Sequence, residues 1–352
     1  MDILNQELIK VKALNTEIYQ RCKEKWNSIA KPLNGLGRLE ELICRIGAIR
    51  EDVSAPAAKK CAIIFCADNG VVCEGISQTD ESVTAIVAEN LAQGRANVNL
   101  MGQISGVKVI PVNIGMKREV NNSKVINRCV RKGTGNIAVG PAMTREECVQ
   151  GILYGIEMAG YAKEQGFDMI ASGEMGIGNT TTSSAIASVL LNVEPKLVTG
   201  KGAGLSDEGL ERKIRIIEQA IRVNHPDEKD PVDLITKLGG LDIAGMTGLF
   251  AGGAIYGIPV VADGLISTVS AILATMLNQD IIDYIIPSHG GKEPACAMLS
   301  ERLGLKPFIY ADMALGEGTG AVSLFPLIDM AHCIYSQNIT FEEIKMEAYK
   351  PL

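Results

Sequence analysis

The sequence predicts an α/β fold built on a doubly wound, mostly parallel sheet. Three observations lead there. Short apolar runs alternate with longer segments of helical period. Polar or glycine-rich turns follow those runs, as they do at the carboxyl edge of parallel sheets. The 352 residues, 47% hydrophobic and 21% charged, make a folded chain with room for one large core and a smaller second domain.

In chain order, Ile3–Trp26 is polar with periodic Leu and Ile and predicts a helix. A turn, KPLNGLG at Lys31–Gly37, precedes a helix over Arg38–Arg50 with Leu39, Leu42, Ile43 and Ile46 in one stripe. Ala62–Cys66 predicts a buried strand ending in Asp68-Asn69-Gly70. Val83–Met101 predicts a helix, Val107–Val112 a strand, and Thr144–Gln165 a helix whose Thr144 and Glu147 form a capping box. Asp168–Ala171 predicts a strand, and Ala185–Leu191 the helix after it. A glycine loop, GKGAG at Gly200–Gly204, leads to a helix capped by Ser206 and ending near Asn224. Helices follow over Val232–Leu238, Ile243–Tyr256, Thr268–Met276 and Lys292–Leu303, with strands at Pro259–Ala262 and Ile281–Ile286. The loop LGEGTG at Leu315–Gly320 opens a helix to about Tyr335, and a last helix is expected near Phe341–Tyr349. The first helices and the last have no strand between them, so a separate helical cap is expected.

Composition narrows the function classes. The net charge of −7 and 4% aromatic content argue against nucleic acid as a partner. The nine cysteines include no C-x-x-C pair, and the three histidines are far apart, which supports neither a zinc site nor a disulfide framework. They fit a reducing compartment, so a cytoplasmic location is expected. Met1–Lys12 is mixed polar and does not read as a signal peptide. Ile243–Ala262 carries no charge, but its five glycines and one proline make a buried helix plus strand the better reading than a membrane span.

The stretch GEMGIGNTTTSS at Gly173–Ser184 is the strongest local signal. Glycines let the backbone approach a ligand, Asn179 and Thr180–Thr182 are residue types that cap a helix start, and a helix N-terminus favours an anion. An ordinary strand-to-helix turn reads the same way. Glu174 is out of place beside a phosphate unless it has another task, such as holding a ribose hydroxyl. Asp68, Asp263, Ser288 and Glu317 also fall after strands or apolar segments. Glu317, between Gly316 and Gly318, suits a general base if desolvated, or is merely a helix cap. His289 and Lys213 have structural readings as good as functional ones, and nothing marks Cys66 or Cys73 as an activated thiolate.

These stretches together resemble the nicotinate-nucleotide:dimethylbenzimidazole phosphoribosyltransferase family, which activates the lower-ligand base of cobamides. The matches are KPLNGLGRLEEL at Lys31–Leu42, ADNGVVCEGIS at Ala67–Ser77, GPAMTREE at Gly140–Glu147 and GEMGIGNTT at Gly173–Thr181. GKGAGLSDEGLERK at Gly200–Lys213, GGLDIAGMTG at Gly239–Gly248, ADG at Ala262–Gly264, SHGGKEP at Ser288–Pro294 and LGEGTGA at Leu315–Ala321 continue them in order. The resemblance implies a Rossmann-like large domain over 56–335 and a small helical domain from 1–55 and 336–352. It also implies a homodimer with active sites near the subunit interface, and no cofactor or metal. The reaction it implies displaces nicotinate from nicotinate mononucleotide by the incoming base, with inversion at the anomeric carbon. Glu317 matches the family's catalytic base. Glu174 would face the ribose or nicotinate, and Gly176, Gly178, Gly202 and Lys213 would surround the phosphate. Asn179, Thr180, Ser288, Gly290, Gly291 and Leu315 complete the expected substrate-binding set, with Asp80 and Ile86 at the acceptor.

The chain departs from the family at Leu33-Asn34-Gly35, at Gly202-Ala203-Gly204-Leu205-Ser206, at SHGGKEP in place of SHRSAEP, and at Ile86, where a glutamine is common. Asp80 and Glu81 are unusual too. Altered pocket residues point to an altered acceptor. The alternative is a related branch that activates phenol or p-cresol as an O-glycoside and works as a heterodimer.

Overall fold

The computed structural model describes residues 1–202 and 204–349. Ala203 of the second glycine loop and the last three residues of the 336–352 segment lie outside them. Six strands form one sheet: β1 (Lys60–Ala67), β2 (Lys108–Gly115), β3 (Ile126–Asn127), β4 (Met169–Met175), β5 (Val260–Ala262) and β6 (Ile285–Pro287). Their spatial order is β3-β2-β1-β4-β5-β6, and every pair is parallel. The order reverses between β1 and β4, so a crevice opens there beyond the strand carboxyl ends.

Strand β1 shows why the sheet is doubly covered. All eight of its residues are buried. Cys61, Ile63 and Phe65 face one core, and Ala62, Ile64 and Cys66 face the other. Alternation along a strand sends successive side chains to opposite faces, so a continuous apolar run requires helices on both. Helices Arg145–Glu164, Leu241–Tyr256 and Leu265–Leu277 cover the first face. Thr16–Ser28, Arg38–Arg50, Ser82–Gln93 and Thr319–Gln337 cover the second. Chain termini meet on that second face: the Trp26 and Tyr335 rings lie 4.9 Å apart, and an antiparallel bridge joins Ile29 to Thr340.

The uncharged stretch after Asp242 is a core helix. Every residue from Leu241 to Ala254 is buried, and no helix among the described residues is long and apolar enough to cross a membrane. It crosses Arg145–Glu164 with Gly248 lying directly against the Ile152 carbonyl and Gly155.

Several boundaries differ from expectation for identifiable reasons. The first predicted helix is two, Asp2–Leu8 and Thr16–Ser28, because the Asn15 side chain accepts from Ile18 N (3.1 Å) and starts a new helix. Val83–Met101 is also two, Ser82–Gln93 and Asn97–Gly102, parted at left-handed Gly94. Gln279–Tyr284 is a 3₁₀ turn capped by Asn278, so only Ile285–Pro287 remains strand. Strand β3 and a parallel pair, β7 (His289–Gly290) with β8 (Ile309–Tyr310), are too short to show periodicity. Phe341–Tyr349 has turns and no helix, and the preceding helix runs to Gln337.

Gly248→Ala places a methyl against backbone on the neighbouring helix. It is expected to lower the unfolding free energy by about 1–3 kcal/mol, the cost of overpacking a tight core, measured by denaturant titration.

Candidate active site

Strand β4 runs four residues past its expected end, so Gly173 and Glu174 are strand residues paired with Ile64 and Phe65 of β1. Over this strand lies the Gly316-Glu317-Gly318 loop. A Cβ on Gly173 would sit 2.9 Å from Gly318 N, so the two backbones touch because neither residue has a side chain. All three loop residues are left-handed, with φ of 83°, 59° and 77°. Glu317 is the non-glycine among them, and that conformation costs about 1–2 kcal/mol. Glu317 is not a helix cap. The N-cap of Thr319–Gln337 is Gly318, and no side chain of that segment caps it. Instead, Asn97 Nδ2 donates to Glu317 Oε1 at 3.1 Å. The other oxygen, Oε2, is buried without a protein partner.

Glu317 and Glu174 line one cavity of about 280 Å³, together with Asn179, Thr180, Asp263, His289 and Leu315. An adjoining cavity of about 80 Å³ shares Gly176, Ile177, Asn179, Thr180 and Gly202 with it, and adds Gly178 and Lys213. Burial, reinforced by the charges of Asp242 and Asp263, pushes the Glu174 carboxyl up to about 8, while a short hydrogen bond from Asn179 opposes this. Burial also raises Asp263, against His289, and raises Asp242 to about 6.

Lys213 is 1% exposed. Its Nζ donates to Thr180 Oγ1 (2.9 Å) and Gly200 O (3.2 Å), and it makes no ion pair among the described residues. Burial pulls its pKa down to about 8, against the more distant Glu293. A buried ammonium held only by neutral oxygens is an unfinished ion pair, and the small cavity beside it is where an anion completes it.

The helix Asn179–Leu191 starts at left-handed Gly178 with no side-chain cap, contrary to the expectation for Asn179–Thr182. Three of those side chains have other partners: Asn179 takes Glu174, Thr180 takes Lys213, and Thr182 donates to Asn179 O, while the buried Thr181 hydroxyl has none among the described residues. Of the other expected residues, Gly291 and Leu315 line the larger cavity. Ser288 does not, because its hydroxyl donates to Ala262 O (2.6 Å) and ties β6 to β5. Gly290 borders a separate groove beside Tyr310. Exposed Asp80 accepts from Ser82 N (2.9 Å), starting a helix. Ile86 is 52% exposed, while the next residue, Val87, reaches the cavity wall. Asn97 had no sequence signal. Asp242 had one: it is the lone carboxylate in the first turn of an otherwise uncharged helix. Among the described residues, no three His, Cys, Asp or Glu side chains are placed to hold a metal ion.

A family model described as phosphoribosyltransferase matches residues 11–346. The chain belongs to this phosphoribosyltransferase family. It is 44% identical over 342 residues to the nicotinate-nucleotide–dimethylbenzimidazole phosphoribosyltransferase of Ruminiclostridium cellulolyticum, covering 97% of both chains. It is 41% identical over 348 residues to the protein of that name from Clostridium acetobutylicum, covering 99% of both. The crystal structure of CobT from Thermus thermophilus matches with a TM-score of 0.89 and 34% identity, over 95% of this chain and 100% of that one.

Because the native pKa of Lys213 lies near 8, against about 10.4 in an unfolded chain, the unfolded state binds more protons between those values. Lys213 therefore contributes stability that rises with pH between about 8 and 10, opposing the buried thiols of Cys61, Cys66 and Cys148, whose raised pKa values cost stability over the same range. Lys213→Met should make the alkaline loss of stability steeper in pH-dependent denaturation.

Proposed function

We propose that this phosphoribosyltransferase moves the ribose phosphate of nicotinate mononucleotide onto an aromatic nitrogen base of the dimethylbenzimidazole class. Nicotinate is released and the anomeric carbon inverts from β to α. The substrates are those named for the relatives that match it end to end. The observation that carries the chemistry is Glu317 Oε2, a buried carboxylate oxygen without a protein partner beside a cavity large enough for a nucleotide's reacting end.

In this reading the 5′-phosphate occupies the smaller cavity against Lys213 and Thr180. The ribose and nicotinate lie along Glu174, whose raised pKa leaves its carboxyl largely protonated at neutral pH and able to donate a hydrogen bond. The acceptor nitrogen attacks C1′ from the face opposite the leaving ring. Its lone pair forms the new C–N bond as the old one breaks, and the bonding electrons leave with nicotinate as its ring nitrogen becomes neutral. Glu317 takes the proton from the acceptor's second nitrogen, with Asn97 fixing the carboxylate. Positioning supplies most of the acceleration. The active unit is a dimer: Ile86 and Leu315, each 52% exposed, are apolar groups near the cavity that a second subunit would cover. The N-terminal helices, with the C-terminal segment bridged to them at Ile29–Thr340, form the small domain. A cytoplasmic location accords with the nine unpaired cysteines.

Glu317→Gln is expected to lower kcat by about 10²–10⁴-fold, the range for a lost general base, while nicotinate mononucleotide still binds. Lys213→Ala is expected to weaken nucleotide binding by about 10–100-fold, equivalent to losing a charged hydrogen bond. Purified protein should be incubated with nicotinate mononucleotide and a mixture of benzimidazoles, adenine, phenol and p-cresol. An α-N-riboside phosphate of dimethylbenzimidazole is the expected product. O-glycosides alone would overturn the acceptor class, and no nicotinate release without a second protein would overturn the self-sufficient enzyme.

A further inference from the structure

We propose that Asp263 is the positioning residue for the Glu317 base: from the end of β5, its carboxylate caps a helix that has no cap of its own. The proposal rests on the reading of Glu317 as base. The helix Thr319–Gln337 begins at Gly318, which offers no side chain to the free N–H groups of the first turn. Asp263 fills that place from 55 residues away in sequence. Its Oδ2 accepts from Gly318 N (3.2 Å) and its Oδ1 from Ala321 N (3.1 Å).

The Gly318 N–H belongs to the peptide that follows Glu317. Its bond to Asp263 therefore fixes the peptide plane that sets where the Glu317 side chain leaves the backbone. Such an anchor is needed, because Glu317 is held in a left-handed conformation that a free chain would leave. Asp263 is itself anchored. Its N–H donates to Ser267 Oγ (3.1 Å), and that hydroxyl bonds Ser172 on β4. On its far side His289 Nδ1 lies 4.0 Å from Oδ1. A side chain on Gly320 would strike both His289 and Asp263. Asp263 borders the cavity, yet both its oxygens are engaged by the helix, whereas Glu317 Oε2 is not. That division separates a positioning group from a catalytic one.

The test is steady-state kinetics on Asp263→Asn, which keeps one acceptor oxygen, and on Asp263→Ala, which keeps none. A misplaced base costs up to about 10²-fold, so kcat is expected to fall about 10-fold in the first and about 100-fold in the second. KM for nicotinate mononucleotide should stay within about 2-fold in both, since the phosphate grip is on another loop. In a Glu317→Gln background, Asp263→Asn should cost nothing further. An unchanged kcat in the single variants, or a multiplicative loss in the double variant, overturns the proposal. Where neither variant folds, Ser267→Ala replaces them. It loosens Asp263 without removing its charge and is expected to lower kcat about 3–10-fold at constant KM, and an unchanged kcat overturns the proposal. A fully active Glu317→Gln would instead overturn the base itself, and so the two failures are distinct.

Discussion

The contact between Gly173 in β4 and Gly318 in the loop above it governs the site. Two backbones meet there with nothing between them. Glu174 and Glu317 flank that contact, and both face the same cavity because of it. A side chain on either glycine would wedge the loop away from the sheet. The carboxylates would then part, and the left-handed run from Gly316 to Gly318 would lose its support. The closeness has an electrostatic consequence. Glu174, Asp242 and Asp263 are all pushed upward, and burial is the first cause in each.

The sheet makes that arrangement possible. Reversal of strand order between β1 and β4 leaves an open crevice at their carboxyl ends. The carboxylates come from the end of β4, the end of β5, the helix after Gly240 and the loop before the last long helix. Apart from the helix after Gly240, which leads directly into β5, these segments are not adjacent in the chain. Burial of both faces of β1 holds their starting points fixed, so loops of modest length can carry the chemistry.

Much of this was legible before the structure. Both side-chain caps expected from spacing are present: Thr144 with Glu147, and Ser206 with Gly209 N. Buried strands showed as apolar runs, and Gly173–Thr180 and Leu315–Gly320 showed as glycine-rich loops, which the structure brings to one cavity. What failed was of three kinds. Propensity misled where a polar side chain had a better partner in three dimensions. Asn179 could have capped its helix but serves Glu174. The expectation that Asp80 meets the acceptor comes from the resemblance, and its side chain instead accepts from Ser82 N on the surface. Other features carry no local signal at all. Asn97 meets Glu317 across 220 residues, and two-residue strands such as β3, β7 and β8 exist only through their neighbours.

Lys213 and Glu174 line adjoining cavities and yet do not pair. Adjacent residues on one helix keep them apart: Thr180 accepts from the lysine, and Asn179 donates to the glutamate. Had the two met, the pair would be self-satisfied, and a ligand would have to break it to bind. Held apart, each carries an unmet demand. The ammonium sits in a small cavity with only neutral oxygens, and the carboxyl is driven toward its neutral form by burial. On the proposed function a ribose phosphate answers both demands, its phosphate pairing with the ammonium and its hydroxyls meeting the carboxyl, so keeping the two residues apart favours a ligand with an anion at one end and hydroxyls at the other.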